Sequence, residues 1–293
     1  MAHDLTIDPR LLVTLDDLSL VAQGVVEGFL SGLHRSPFLG YSTEFASYRP
    51  YLQGDNLRHV DWKVWGRTDE LYVKQFEDDT NLNCEILLDT SASMDFGSPN
   101  KFQYGKVLAA AMAYLMVRQH DAPGLTLFGE HAAQALPARS SRHHLDEVFH
   151  LLGGTAARGQ TRADEDLQVV VQTFIRRGLA VVISDFFSPG DTLFELLRQL
   201  HFQRQEVIAF QILSPEELDF NYEGDYLMTD SENGEETPVH AGEYREEYQR
   251  RLAEFNRQVE QECAKYEFNL QRLRTDEPLD RALITYLEQR TAM

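Results

Sequence analysis

The chain has 293 residues and a formal net charge of -20. That length fits one large domain or two modest ones, and the ordinary globular composition argues against disorder over the whole chain. So acidic a protein is a poor match for phosphate backbones or anionic lipid, which demand basic contacts, and the charge itself serves solubility.

Residues 10–33 carry Leu11, Leu12, Val13, Leu15, Leu18, Leu20, Val21, Val25, Val26, Phe29 and Leu30, a spacing that predicts one or two amphipathic helices. Residues 38–83 are rich in Tyr, Trp, Val and Phe and are broken at "QGDN" and "GRTDE", which predicts a small β appendage. From Asn83 an apolar run, "NCEILLD", ends in Asp89. Residues 101–120 read as a helix and 124–129 as a short strand. Helices are expected near 141–152 and over 163–177. "GLAVVISD", residues 178–185, is a continuous apolar strand ending in Asp185. A helix over 191–201 and a strand over 206–213 follow.

Residues 219–241 are acidic, with a hairpin expected to turn at Asn233-Gly234. In the next segment Tyr244, Tyr248, Leu252, Phe255, Val259, Cys263 and Tyr266 are spaced along one face of a long helix. A last strand and a last helix close the chain. Buried strands alternating with helices predict an α/β fold: a doubly wound, mainly parallel sheet with flanking helices over 83–293, preceded by an N-terminal helical and β appendage over 1–82.

Cys84 and Cys263 match no metal spacing, so reduced thiols are expected. The first ten residues, "MAHDLTIDPR", lack the basic and apolar regions of an export signal, and the longest apolar runs fall far short of a bilayer span. The expectation is a soluble cytoplasmic protein with no membrane insertion.

The stretch "LLDTSASM" carries the chemistry. Asp89, Ser91 and Ser93 place three oxygens on a tight loop at the carboxyl end of a buried strand, and Asp185 ends another. In open α/β sheets that edge is where ligands bind. Hard divalent cations take oxygen ligands, and Mg²⁺ usually keeps several waters. Hydroxyl ligands leave such a cation only partly neutralised, with affinity for one more carboxylate. Asp and Ser also favour turns and helix caps, so the loop alone admits a reading as turn chemistry.

Asp89, Ser91 and Ser93 resemble the metal-ion-dependent adhesion site of von Willebrand factor A domains, whose first loop is Asp-x-Ser-x-Ser. The resemblance implies a threonine from a second loop, Thr161 or its competitor Thr155, and an aspartate from a third, Asp185. It implies the metal set Asp89, Ser91, Ser93, Thr161 and Asp185, with Mg²⁺, Mn²⁺ or Ca²⁺ bound. A second resemblance is broader. Phe45, Arg49, Tyr51, Gly54, Asp55, Arg58, Asp61, Trp62 and Arg67 lead into "LLDTSASM", and "TDSENGEETPV" follows later. In order and spacing these blocks are similar to the bacterial domain-of-unknown-function family numbered 58, over about residues 35–290. Many members have membrane-spanning segments near the N-terminus, which this chain does not show. Relatives are often encoded beside MoxR-type AAA+ ATPases. The resemblance therefore implies a metal-dependent protein–protein interaction module, an adaptor or co-chaperone for such an ATPase, whose partner presents a Glu or Asp.

Rival readings are a metal-free scaffold of the same fold and a metal-dependent hydrolase. Haloacid dehalogenase chemistry needs Asp-x-Asp after the first strand, and here the third position is Ser91. "SPNK", residues 98–101, lacks the further motifs of penicillin-binding enzymes, so Lys101 reads as the start of a helix. No P-loop is present. His143-His144 reads as an exposed helix start and Gly153-Gly154 as a helix stop. Arg49, Arg58 and Arg67 alternate with Asp55, Asp61 and Asp69, either as internal ion pairs or as a docking surface. Trp62 and Trp65 read as packing residues. The acidic stretch 219–236 could bend back and supply a carboxylate to the loop. Asp89 is expected on a solvent-facing loop, and no catalysis is expected.

Overall fold

The computed structural model describes residues 18–33, 47–50, 66–67, 71–75, 82–129, 134–157, 177–187, 192–229 and 236–292. The chain divides into two compact units, one of residues 1–32 with 82–293 and the other of residues 33–81.

In the smaller unit, β1 (Ser47–Pro50) pairs antiparallel with β2 (Tyr72–Gln75). Arg67 is exposed there. Arg58, Asp61, Trp62 and Trp65 lie outside the described residues, as does the side chain of Arg49.

The larger unit opens with α1 (Leu18–Leu33), which buries Val21, Ala22, Val25, Val26 and Phe29 along one face. The elements that follow are β3 (Asn83–Asp89), α2 (Lys101–Arg118), β4 (Ala122–Phe128), β5 (Gln134–Leu136) and α3 (Arg142–Gly154). Next come β6 (Leu179–Ser184), α4 (Thr192–Phe202), β7 (Glu206–Leu213) and α5 (Pro215–Asp219). The hairpin strands β8 (Asp225–Thr229) and β9 (Glu236–His240), the long α6 (Ala241–Lys265), β10 (Asn269–Arg274) and α7 (Asp280–Ala292) complete it. The expected helix over 163–177 and the turn at Asn233-Gly234 lie outside the described residues. The β5 strand and the short α5 had no counterpart in the sequence pattern.

The main sheet has six strands in the order β10-β7-β6-β3-β4-β5. All its pairings are parallel except β4–β5. The continuous apolar runs of β3 and β6 follow from this position, because each is covered on both faces. On one face Leu87, Val182 and Ala209 meet Leu193, Leu197 and Leu200 of α4 and Val259 and Cys263 of α6. On the other, α2 approaches so closely that a Cβ at Gly105 would lie 3.2 Å from Leu88 and 3.4 Å from Ile212. Cys84 and Cys263 are buried and are not joined in a disulfide.

This winding places the functional edge. The chain leaves β3 toward β4 on one side and leaves β6 toward β7 on the other, yet β3 and β6 are neighbours. Such a reversal opens a crevice beyond the carboxyl ends of the two strands, the usual ligand position of a doubly wound sheet. Asp89 ends β3, Ser184 ends β6, and Asp185 follows directly after it.

Candidate functional site

The loop after β3 is organised by Asp89. Its Oδ1 accepts the backbone N–H of Ser91 at 2.9 Å, and its Oδ2 accepts the hydroxyl of Ser184 at 2.6 Å. The Ser184 oxygen in turn accepts the N–H of Phe186 at 2.9 Å. Ser91 and Ser93 are joined through their hydroxyl oxygens at 3.0 Å. Three of the expected oxygen bearers are therefore gathered on one short loop. Asp185 faces the same crevice, with its Oδ1 accepting the N–H of Phe187 at 2.9 Å.

Asp89 is not on a solvent-facing loop. It is fully buried, as are Ser184 and Asp185. The strand end carries it inside the sheet edge, and the turn at Ser91 folds over it. Burial, and then the nearby charge of Asp185, push its carboxyl up from an ordinary 3.8 to about 6. The hydrogen bonds from Ser184 and Ser91 oppose that rise without cancelling it.

Lys101 was expected only to open a helix. It does open α2, but its side chain is buried and its ammonium donates to Asp185 Oδ2 at 2.7 Å and to Glu217 Oε1 at 2.5 Å. Burial alone would lower its pKa, and the two carboxylates outweigh burial, so the group is held charged. Glu217 also closes a capping box at α5, accepting the N–H of Ser214 at 2.8 Å while Ser214 Oγ accepts the N–H of Glu217 at 3.2 Å. The signal for this contact was faint in the sequence, because Glu217 is more than a hundred residues from Lys101 and sits in a helix too short to show periodicity.

Thr155 caps the end of α3, donating its hydroxyl to Leu151 O at 2.7 Å, while its carbonyl accepts from Lys106 at 3.3 Å. Its hydrogen bonds thus run to α2 and α3, and none reaches Asp89, Ser91, Ser93 or Asp185. Thr161 lies outside the described residues. In the acidic stretch 219–236, Asp219 pairs with Arg274 and Asp225 with His240, and residues 230–235 lie outside the described residues. His144 is likewise no exposed helix start. It is buried, with Nε2 at 2.8 Å from Pro123 O, whereas His143 is exposed. Gly153 and Gly154 are the last two residues of α3, and Thr155 is its C-cap.

Gly97 fixes the far end of the loop. Its φ is +86°, and a Cβ there would lie 2.4 Å from Ser214 Cβ. Ser98 N–H donates to Glu216 Oε1 at 3.1 Å beside it. Gly97→Ala is therefore expected to cost about 1–3 kcal/mol, from left-handed strain and overpacking together. Denaturant midpoints of the two proteins measure this, and an unchanged midpoint would show that the loop yields freely.

Among the described residues no group of three or more His, Cys, Asp or Glu is placed to hold a metal ion. The donor set is instead two carboxylates with two hydroxyls. It fits an oxygen-loving divalent cation on one specific ground. Asp89 is a buried carboxylate raised by its own desolvation and by Asp185, and the ammonium of Lys101 pairs with Asp185 and not with Asp89. A cation at the loop would relieve that charge.

The model for the family described as "Protein of unknown function DUF58" matches residues 47–258. The chain belongs to this family. Among its relatives, the uncharacterized protein Rv1480 of Mycobacterium tuberculosis is 31% identical over 233 residues, spanning 78% of this chain and 73% of that one. The uncharacterized protein Mb1516 of Mycobacterium bovis gives the same figures. Solved structures similar in fold include the conserved hypothetical protein BatB from Bacteroides thetaiotaomicron, at TM-score 0.48 and 15% identity, covering 72% of this chain and all of that one. The VWA domain of SpRpn10 follows at TM-score 0.42 and 14% identity, covering 70% and 94%. Among the described residues no helix is long and apolar enough to cross a membrane.

Proposed function

We propose that this DUF58 protein is a protein-interaction module whose partner docks through a metal held by Asp89, Ser91, Ser93 and Asp185. The observation that carries the reading is Asp89: a fully buried carboxylate with no ammonium paired to it among the described residues, beside two hydroxyls at the switch point of the sheet. Mg²⁺ or Mn²⁺ suits these oxygens, and Thr161 is the assigned second-loop ligand. When bound, the metal supplies an electrophilic centre for a partner's Glu or Asp. The chain's own residues position that centre. Ser184 and the Ser91 N–H orient Asp89, and the Phe187 N–H orients Asp185.

The partner class is a MoxR-type AAA+ ATPase, with this chain as its adaptor or co-chaperone and without catalysis of its own. Ser184 spends its proton on Asp89, and Ser91 stands where a phosphotransferase would need a second aspartate. The net charge of -20 does not favour a nucleic-acid partner. Capture of a purified MoxR-type ATPase on immobilised protein tests the reading. Capture is expected in millimolar Mg²⁺ or Mn²⁺, and loss is expected in EDTA and with Asp89→Ala. Equal capture in all three conditions would remove the metal from the interaction.

A further inference from the structure

Lys101 presents a charge where the metal site needs a carboxylate. Its ammonium lies between Asp185 and Glu217, 5.2 Å from the ring centroid of Phe187 and 5.8 Å from that of Phe96. The side chain is almost wholly buried, so solvent screens it poorly. Asp185 Oδ2 is its first partner, and Asp185 is also one of the two carboxylates assigned to the metal. A divalent ion beside Asp185 would repel that ammonium at close range in a poorly screened setting. Glu217 is the second anchor, and its capping box with Ser214 holds it in place.

We infer that Lys101 is the internal counter-cation of this site, competing with a divalent metal for Asp185 and so setting the metal affinity of the loop. The inference rests on the metal-binding reading above. Its logic is a charge ladder. Among the described residues Lys101 is the cation of this cluster, paired with Asp185 and Glu217 and not with Asp89. Lys101→Met leaves all three carboxylates uncompensated and frees Asp185 Oδ2 for the metal. Glu217→Gln leaves Lys101 committed to Asp185 alone. The double variant restores the net charge of the wild type. Two neighbouring substitutions are thus expected to move metal affinity in opposite directions. A general loosening of the fold would weaken binding in both.

The experiment is Mn²⁺ binding to the full chain, followed by electron paramagnetic resonance of the free ion. It compares wild type, Asp89→Ala, Lys101→Met, Glu217→Gln and the Lys101→Met/Glu217→Gln double variant. Lys101→Met is expected to bind at least about tenfold tighter than wild type, Glu217→Gln several-fold weaker, and the double variant between them. If the lysine variant does not fold, Glu217→Gln decides alone, and an unchanged affinity there overturns the inference. Binding that Asp89→Ala abolishes but the other variants share equally sinks the counter-cation and leaves the metal reading standing. Tight binding only in Lys101→Met upholds the counter-cation and removes metal from the wild-type function. No binding in any variant overturns both.

Discussion

Asp89→Asn is expected to separate stability from binding, raising the one and abolishing the other. In the metal-free protein the folded-state pKa of Asp89 stands at about 6 against an ordinary 3.8. A carboxyl raised on folding is destabilising once ionised. The cost is absent below the unfolded value, grows as pH rises between the two, and is complete above pH 6. At pH 8 the neutral amide avoids that cost, a gain of about 3 kcal/mol. The Ser91 bond survives the change, and the Ser184 bond reverses direction. The amide oxygen can still accept from Ser91 N–H, and its nitrogen can donate to the Ser184 hydroxyl. A cation, by contrast, loses one of the two carboxylates of its donor set. Wild type is therefore expected to gain about 2.7 kcal/mol when free Mn²⁺ exceeds its dissociation constant a hundredfold, and Asp89→Asn nothing. Thermal midpoints at pH 8, with EDTA and with Mn²⁺, read both effects. A variant less stable than wild type in EDTA would show that the Ser184 and Ser91 bonds need the charge. A variant that keeps the Mn²⁺ shift would place the metal elsewhere.

The parts of the fold legible in the sequence are those with strong local periodicity. The apolar runs ending in Asp89 and Asp185 announced buried parallel strands, and the structure sets them side by side with their carboxyl ends together. The long amphipathic pattern from Tyr244 to Tyr266 became α6. The Asp-x-Ser-x-Ser loop was legible because its spacing is local. What the sequence hid is non-local. Asp89 is buried because neighbouring elements close over a strand end, and no feature of "LLDTSASM" reports that. The pairing of Lys101 with Asp185 and Glu217 joins three separate elements of the chain. A lysine at the first position of a helix ordinarily faces water, so the local signal pointed the wrong way. His144 misled for the same reason, since its burial is imposed by the carbonyl of Pro123 on β4.

A second expected result concerns a residue that the proposed site does not use. Glu85, in the middle of β3, is only 5% exposed. Its Oε1 accepts the N–H of Ala138 at 3.3 Å, and among the described residues its Oε2 has no hydrogen-bond partner. It survives there because its neighbour across the sheet is Gly124, where any Cβ would fall 2.0 Å from the carboxylate. Burial pushes its pKa up from an ordinary 4.5 to about 7, and the Ala138 bond only tempers that rise. By the same sign as for Asp89, wild-type stability falls as pH climbs from 4.5 through 7, by about 3 kcal/mol once the carboxylate is fully ionised. Glu85→Gln removes this dependence. Its amide keeps the acceptor for Ala138 but buries N–H groups without a partner, at a cost of about 1 kcal/mol. The variant should therefore be about 2 kcal/mol more stable than wild type at pH 8 and about 1 kcal/mol less stable at pH 4, where Glu85 is neutral in the folded chain and mostly so in the unfolded one. The two curves should cross between those pH values. Urea midpoints at pH 4, 6 and 8 on both proteins check this, and the difference between them cancels every other titrating group the two chains share. A gap that stays constant with pH would mean that Glu85 ionises in the folded protein at its ordinary pKa, as a carboxylate reached by water would, and the burial argument would fail.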